Sequence, residues 1–481
     1  MKLWRCLFCF CVMGCLIPGV RAQMNLAPDA LLYSTDEGTT IRDTISQFTI
    51  KDILISGNRK TKAFVILREV PFKADEQYPL NVLVDKFEKT KRQLMNTGLF
   101  RSVVVSLKSL RGYDVYVSID VKERWYIYPI PLIKTVDRNL NDWVVTQKMD
   151  LSRINYGLKL THKNFTGRND HLYLNLVNGY TKQVTFRYDG LYLDNRLKWS
   201  SNFNVAWGKN HEIVYNTIDN KQVAYKNSDT YVNSFFRTQL EITYRPAIYT
   251  RHVFGIGYSF EDVADTLFKL NPNYSFQHRI LRYPDLYYKI LHYNVDQIAY
   301  PRKGFAAEGM LLKRGIGSDV NLWQVSGQAS QYWPLNSHYT FNLRASATLK
   351  LPFKQTYVTK QMLGYGSTYM QGFEYNVVDG VVGGYTKAIL MRQLLNTAIH
   401  IPSKKYDRLN NIPIALYAKV YGNTGYVYNP DPGYNYMNNR MLYSGGAGLD
   451  IVLFNDLVIK LDYSFNQFGK KGLYLHNRDY F

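Results

Sequence analysis

Cysteine is all but missing from this 481-residue sequence, and the four that occur (Cys6, Cys9, Cys11 and Cys15) crowd into its first fifteen positions. Those positions belong to a segment that reads as a secretory leader, residues 1–22. Lys2 and Arg5 make a basic start, Leu7 to Val20 a short apolar run, and Val20-Arg21-Ala22 a small-x-small cleavage site before Gln23. A lipoprotein-type leader ending at Val12-Met13-Gly14-Cys15 is the competing reading; Leu16-Ile17-Pro18, which prolongs the apolar run, speaks against it. Without its leader the chain has no thiol, which excludes disulfides and thiolate metal sites as sources of stability.

Long apolar runs are missing too. Beyond the leader no stretch approaches eighteen consecutive apolar residues, so a membrane-spanning helix is excluded. Catalytic signatures are equally scarce. The histidines (among them His162, His171, His211, His252 and His400) have no metal-ligand spacing, and neither a nucleophile elbow nor a paired-carboxylate motif occurs. Glycine-rich stretches such as Gly364-Tyr365-Gly366 and Gly383-Gly384 lack the Lys-Ser/Thr of a phosphate loop. The expectation is a protein that is no enzyme and needs neither metal nor cofactor.

Acidic residues are outnumbered, 38 against 59 basic ones, for a net charge of +21; without Lys2, Arg5 and Arg21 of the leader the balance is +18. Dispersed through alternating segments, with no nucleic-acid motif, this excess fits contact with anionic lipid head groups better than nucleic acid.

What the chain has in quantity is tyrosine, 41 residues in an aromatic fraction of 15%. It also has period-2 alternation. Leu172, Leu174 and Leu176 alternate with Tyr173 and Asn175; Val184, Phe186 and Tyr188 with Thr185 and Arg187; Leu240, Ile242 and Tyr244 with Gln239, Glu241 and Thr243. A soluble β-sandwich alternates in the same way. The roughly 330 residues after position 150 accommodate about sixteen strands of about ten residues with workable connections, and aromatic abundance fits the girdles of a transmembrane barrel.

Ahead of the strand-rich region lies a compact α+β pattern. A polar tether, 23–46, leads to a strand from Phe48 to Ile55, stopped by Gly57-Asn58. A short helix over Lys60 to Arg68 and a longer one over Asn81 to Thr97, stopped by Gly98, come next. Strands from Ser102 to Leu107 and Val115 to Val121 follow. The order is β-α-α-β-β over 47–124, with a connector, 125–149, before a barrel assigned to 150–481.

These features resemble the superfamily of outer-membrane protein insertases and translocases, in which a POTRA module precedes a β-barrel. The POTRA resemblance rests on Gly57 and Asn58, on Arg68, on Asn96-Thr97-Gly98-Leu99-Phe100 and on Glu123 closing the third strand. The barrel resemblance rests on Tyr156-Gly157, Asn164-Phe165-Thr166-Gly167, Asp296 with Tyr300-Pro301-Arg302-Lys303-Gly304, Gly446-Ala447-Gly448 and the terminal Phe481. The family's sixth extracellular loop carries an arginine-glycine-aromatic motif whose arginine meets an aspartate on the barrel wall. The matching residues here are Met370-Gln371-Gly372-Phe373 and Tyr421-Gly422-Asn423-Thr424-Gly425, so amides replace both charges. The resemblance implies a neutral latch between Gln371 and Asn423, worth roughly 1 kcal/mol as a hydrogen-bonded pair.

The resemblance further implies a Gram-negative outer-membrane location with the POTRA domain in the periplasm, and assisted insertion of barrel proteins. Unfolded clients would be received by β-augmentation, and the barrel would act through a seam between its first and last strands, near Tyr156 and Leu473. Clients, outer-membrane lipid or lipopolysaccharide, and periplasmic chaperones or accessory lipoproteins are the implied partners. A polypeptide-exporting pore of the two-partner-secretion type and a passive barrel binding a surface partner through its loops remain the alternatives.

Overall fold

The structure is a computed structural model describing residues 46–477 except 137–142, 145–147, 195, 276–277, 318–319, 367, 400–411 and 455–456. The leader, nearly all of the tether and Phe481 lie outside the described residues.

The N-terminal unit packs two helices on a four-stranded sheet. Its elements are β1 (Gln47–Ser56), α1 (Ala63–Leu67), β2 (Gln77–Pro79), α2 (Leu80–Asn96), β3 (Phe100–Arg111) and β4 (Asp114–Glu123). The sheet order is β2-β1-β4-β3, with β1 and β4 parallel and the other pairs antiparallel. This matches the expected β-α-α-β-β order, with the three-residue β2 as an unforeseen addition. Alternate residues Val115, Val117, Ile119 and Val121 of β4 are buried with Phe48, Ile50, Leu83, Leu94 and Phe100 in one core, as period-2 and period-3.6 faces brought together require.

A single sixteen-stranded antiparallel sheet follows. Its strands are β5 (Ile127–Thr135), β6 (Ile154–Lys163), β7 (His171–Gly179), β8 (Thr181–Tyr192) and β9 (Trp199–Asn210). A far-end hairpin, β10 (Glu212–Ile218) and β11 (Lys221–Lys226), interrupts the series. It resumes with β12 (Asn233–Tyr244), β13 (Thr250–Val263), β14 (Ile280–Val295), β15 (Gly304–Arg314), β16 (Leu322–Pro334) and β17 (Tyr339–Leu351). The short pair β18 (Gln361–Leu363) and β19 (Val378–Asp379) lies in the next connection. The last strands are β20 (Val382–Ile399), β21 (Ile412–Tyr428), β22 (Met441–Leu453), β23 (Leu457–Asn466) and β24 (Lys471–Asn477).

The alternation read from sequence sorts as expected. Leu176, Val184, Phe186 and Leu240 point outward and are exposed, the arrangement that hydrocarbon selects on a barrel's outer face. Among the described residues no helix is long and apolar enough to cross a membrane. The fold points to the outer membrane, crossed by strands.

One expectation needs correction. The connector 125–149 contains the first barrel strand, β5, so the barrel begins near Ile127 rather than 150, and Tyr156 sits on the second strand. Pro129 and Pro131 make the segment look like a loop. Proline is nonetheless tolerated at a sheet edge when its nitrogen faces away from the partner strand. The carbonyl of Tyr126 accepts from Lys163 N (2.7 Å) and Val136 N donates to Arg153 O (3.0 Å), so even-numbered residues of β5 bond to β6. Both prolines face the open side.

Candidate functional site

Two features mark the two ends of the barrel: a loop tip folded into the lumen and a clamp to the N-terminal domain.

The connection between β17 and β20 is the sixth at the end remote from the N-terminal domain, the position that the family's loop motif predicts. Its tip is buried. Met370 and Phe373 pack with Met362, Leu363, Val378, Tyr385, Val427, Met437 and Leu442, and Phe373 meets Phe468 edge-on at 6.2 Å. Gly372 has φ of +88°, and a Cβ there would stand 2.8 Å from Ser444 Cβ and 3.0 Å from Phe465 O. Only glycine fits so close to the wall. Gly425 lies opposite Met370, whose sulfur would stand 3.0 Å from a Cβ there and would have to shift to admit a side chain. Asn466 Nδ2 donates to the Gly372 carbonyl (2.5 Å), Gly372 N donates to Glu374 Oε2 (2.8 Å), and Tyr369 stacks on His476 of β24 at 5.0 Å. The loop tip therefore reaches from β20 across to the last strand.

Gln371 and Asn423 are brought together, but not as an amide pair. Asn423 Nδ2 donates to the main-chain carbonyl of Gln371 (3.4 Å) and to Ser444 Oγ (3.1 Å). The side-chain oxygens Gln371 Oε1 and Asn423 Oδ1 are both buried without a hydrogen-bond partner. The expected side-chain bond gives way to backbone capture because the tip descends far enough for Gln371's own carbonyl to reach Asn423. Tyr421, two residues away on the same lumenal face, bonds Ser464 Oγ at 2.7 Å.

The two orphaned acceptors set up a test. Gln371→Arg or Asn423→Asp alone puts an unpaired charge into this buried spot and is expected to destabilise the loop. The double change supplies each with its partner and is expected to recover stability, with a coupling of roughly 0.5–3 kcal/mol in a double-mutant cycle. Loop protease resistance or heat-modifiable migration gives the readout; strictly additive effects would show that the two positions do not meet.

One buried charged group is assembled only by the fold. Lys419 Nζ lies 2.7 Å from Asp450 Oδ1 and 2.8 Å from Asp462 Oδ1, the three side chains being 3%, 2% and 0% exposed. Tyr300 OH donates to Asp450 Oδ2 (2.9 Å). Asp450 lies on β22. The only sequence signal is that Lys419 shares the lumenal parity of Tyr421 and Asn423 on β21.

At the opposite end the N-terminal domain is clamped under the barrel. Glu69, just past α1, accepts from Arg245 Nη1 (2.6 Å) and Nη2 (2.8 Å) and from Arg68 Nε (3.0 Å), a bidentate geometry of the strong kind. Burial pushes the Glu69 carboxyl up, but the Arg245 hydrogen bonds and the charges of Arg245 and Arg68 more than reverse this and hold it below the ordinary range. A depressed carboxylate stabilises at every pH above its unfolded value and fails only as pH falls through the folded one, so the clamp is intact at neutral pH.

The expected POTRA-motif residues take part in this clamp or shape the domain. Arg68 Nη1 donates to Tyr192 OH (2.7 Å). Asn96 Oδ1 accepts from Ile298 N (3.1 Å) while its Nδ2 faces the carbonyls of Val295 and Asp296. Glu123 Oε1 accepts from Thr61 N (2.7 Å), and Thr61 Oγ1 accepts from Asn164 Nδ2 of the β6–β7 turn (3.0 Å). Gly167 lets the Lys60 carbonyl come within 2.3 Å of where a Cβ would stand. Gly57 and Gly98 end β1 and α2 with positive φ, Asn58 Nδ2 donates to Thr61 O, and Phe100 is fully buried. Leu197, from a barrel turn, is buried within the domain's own core. Arg302 N and Lys303 N donate to Asp296 Oδ1 (2.9 and 3.1 Å), which explains the spacing of that motif.

The fold and these contacts define the class: one POTRA domain docked on a sixteen-stranded antiparallel barrel. The family model described as POTRA, "Surface antigen variable number repeat", matches residues 48–124. Among solved structures the chain is similar to BamA from Haemophilus ducreyi lacking POTRA domains 1–3, at 16% identity over 89% of this chain and 83% of that one, with a TM-score of 0.47. It is similar to CdiB from Escherichia coli at 11% identity over 93% and 92% of the two chains, TM-score 0.46. CdiB from Acinetobacter baumannii gives 12% identity over 89% and 73%, TM-score 0.47. No match to a curated protein was found.

Proposed function

We propose that this chain is a single-POTRA member of the insertase and translocase superfamily that assists insertion of β-barrel proteins into the outer membrane, with its POTRA domain in the periplasm. The observation that carries the reading is the unzipped edge. Among the described residues no ladder joins β5 to β24, and Pro129 and Pro131 remove two donors from the side of β5 where such a ladder would form. An exposed strand edge in hydrocarbon is costly; a client strand that pairs there lowers that cost, so client folding itself supplies the energy. The opposite strand, β24, touches the inserted loop through His476, which couples the loop tip to the seam. In the POTRA domain β3 is an outer strand of twelve residues, long enough to accept an extended client by β-augmentation.

The test uses the absence of cysteine after Cys15. Cysteine pairs placed between Ile130–Ile133 and Leu473–Leu475 should, once oxidised, abolish assisted insertion of a client barrel into liposomes, and reduction should restore it. Undiminished insertion with a fully cross-linked seam would exclude the seam mechanism and favour passage through the lumen, as in an exporter.

A further inference from the structure

A cavity of about 330 Å³ lies in the lumen at the POTRA end, with Arg68, Tyr192, Arg245, Arg251 and Lys289 on its walls. Arg245, Arg251 and Lys289 are on the lumenal parity of β12, β13 and β14 or just beyond it, since Leu240, Phe254, Ile256, Leu286 and Ile290, of the opposite parity, are the exposed outer residues. The cavity thus communicates with water rather than lipid.

Its cations are not balanced. Lys289 is neutralised by Glu241 at 3.1 Å. Arg68 and Arg245 share the single carboxylate of Glu69, whose two oxygens they already occupy. The guanidinium of Arg251, half-buried beside them, makes no side-chain hydrogen bond or ion pair among the described residues. Asp189, a further carboxylate on the wall, is paired with Arg187 at 2.9 Å, so Arg68, Arg245, Arg251 and Lys198 stand against Glu69 alone. Charges held away from bulk water are retained at a cost unless a counter-charge accompanies them.

We propose that this cavity is a binding site for a phosphate-class oxyanion, inorganic phosphate or a phosphomonoester, held by Arg251 together with the free donors of Arg68 and Arg245. Guanidinium forks match such oxygens two at a time, and the Tyr192 hydroxyl, which accepts from Arg68, has its own proton to donate. Arg68 belongs to the POTRA domain and Arg251 to the barrel, so the bound anion bridges the two and tightens the clamp. The lumenal position rules out head groups still seated in the bilayer. The site stands on these residues alone and is independent of whether the barrel inserts or exports proteins.

The experiment is a stability titration of the full chain in detergent, replacing chloride by phosphate at constant ionic strength, with glycerol phosphate as a second arm. The unfolding midpoint should rise saturably. Arg251→Gln should be at least as stable as the wild type in chloride, because it removes an uncompensated charge, and should bind phosphate at least tenfold more weakly. Lys182→Gln, at the far rim, should respond like the wild type. Saturation by both anions assigns a phosphomonoester-tolerant site, and by phosphate alone a site for the free ion; either supports the proposal. A wild type without saturable response overturns it, as does an Arg251→Gln protein that responds fully or that is destabilised equally in both salts. Should that variant not fold, phosphate-dependent ³¹P line broadening with the wild-type protein decides the matter alone.

Discussion

Lys419→Met is expected to destabilise the barrel by about 3–5 kcal/mol, the cost of leaving a buried charge without its partner. Two carboxylates, Asp450 and Asp462, depend on that one ammonium at 2.7 and 2.8 Å, and none of the three side chains is more than 3% exposed. Methionine fills most of the space but leaves two negative charges facing each other, with the Tyr300 hydroxyl still donating to Asp450. The group ties β21, β22 and β23 together just below the loop tip, so the loss should also loosen the tip and raise its protease sensitivity. Neutralising the carboxylates in the same protein, as Asp450→Asn with Asp462→Asn, should recover most of the stability. Urea midpoints of the refolded barrel in detergent check this; a loss under about 1 kcal/mol would show that the three charges are solvated or differently paired.

Glu69→Gln is the second large effect. The substitution keeps the shape but removes the charge that Arg245 and Arg68 share and that Arg251 feels. Breaking a buried charged pair from one side costs about 3–5 kcal/mol, here directed at the docking of the POTRA domain rather than at either fold. Because Leu197 of a barrel turn is buried in the domain's core, undocking also exposes apolar surface. The expected result is a barrel with unchanged heat-modifiable migration whose N-terminal domain is released by protease at a Trp125-proximal site. Equal protease resistance in variant and wild type would mean that Asn96, Thr61 and Leu197 suffice for docking.

How much of this was readable beforehand follows from the dimension in which each signal lies. Alternation at Leu174 and Leu176, or at Leu240 and Ile242, is one-dimensional, and it identified outward and lumenal faces correctly. The POTRA order was legible because helix and strand periods change over a few residues, while the three residues of β2 are too few to carry a period. β5 escaped because Pro129 and Pro131 mimic a loop, and only the direction in which their nitrogens point makes them compatible with a strand. The loop motif located Gln371 and Asn423 but not the manner of their contact, since capture by a main-chain carbonyl leaves no trace in residue types. Lys419, Asp450 and Asp462 lie on three strands, and nothing short of the barrel register brings them into one group.

The central claim is that this barrel assists the assembly of other barrels, and depletion of the chain from its host followed by quantitative proteomics of the outer membrane tests it most directly. The account predicts a broad fall in many β-barrel proteins together. Loss of one secreted polypeptide, with the barrel proteins unchanged, would contradict it.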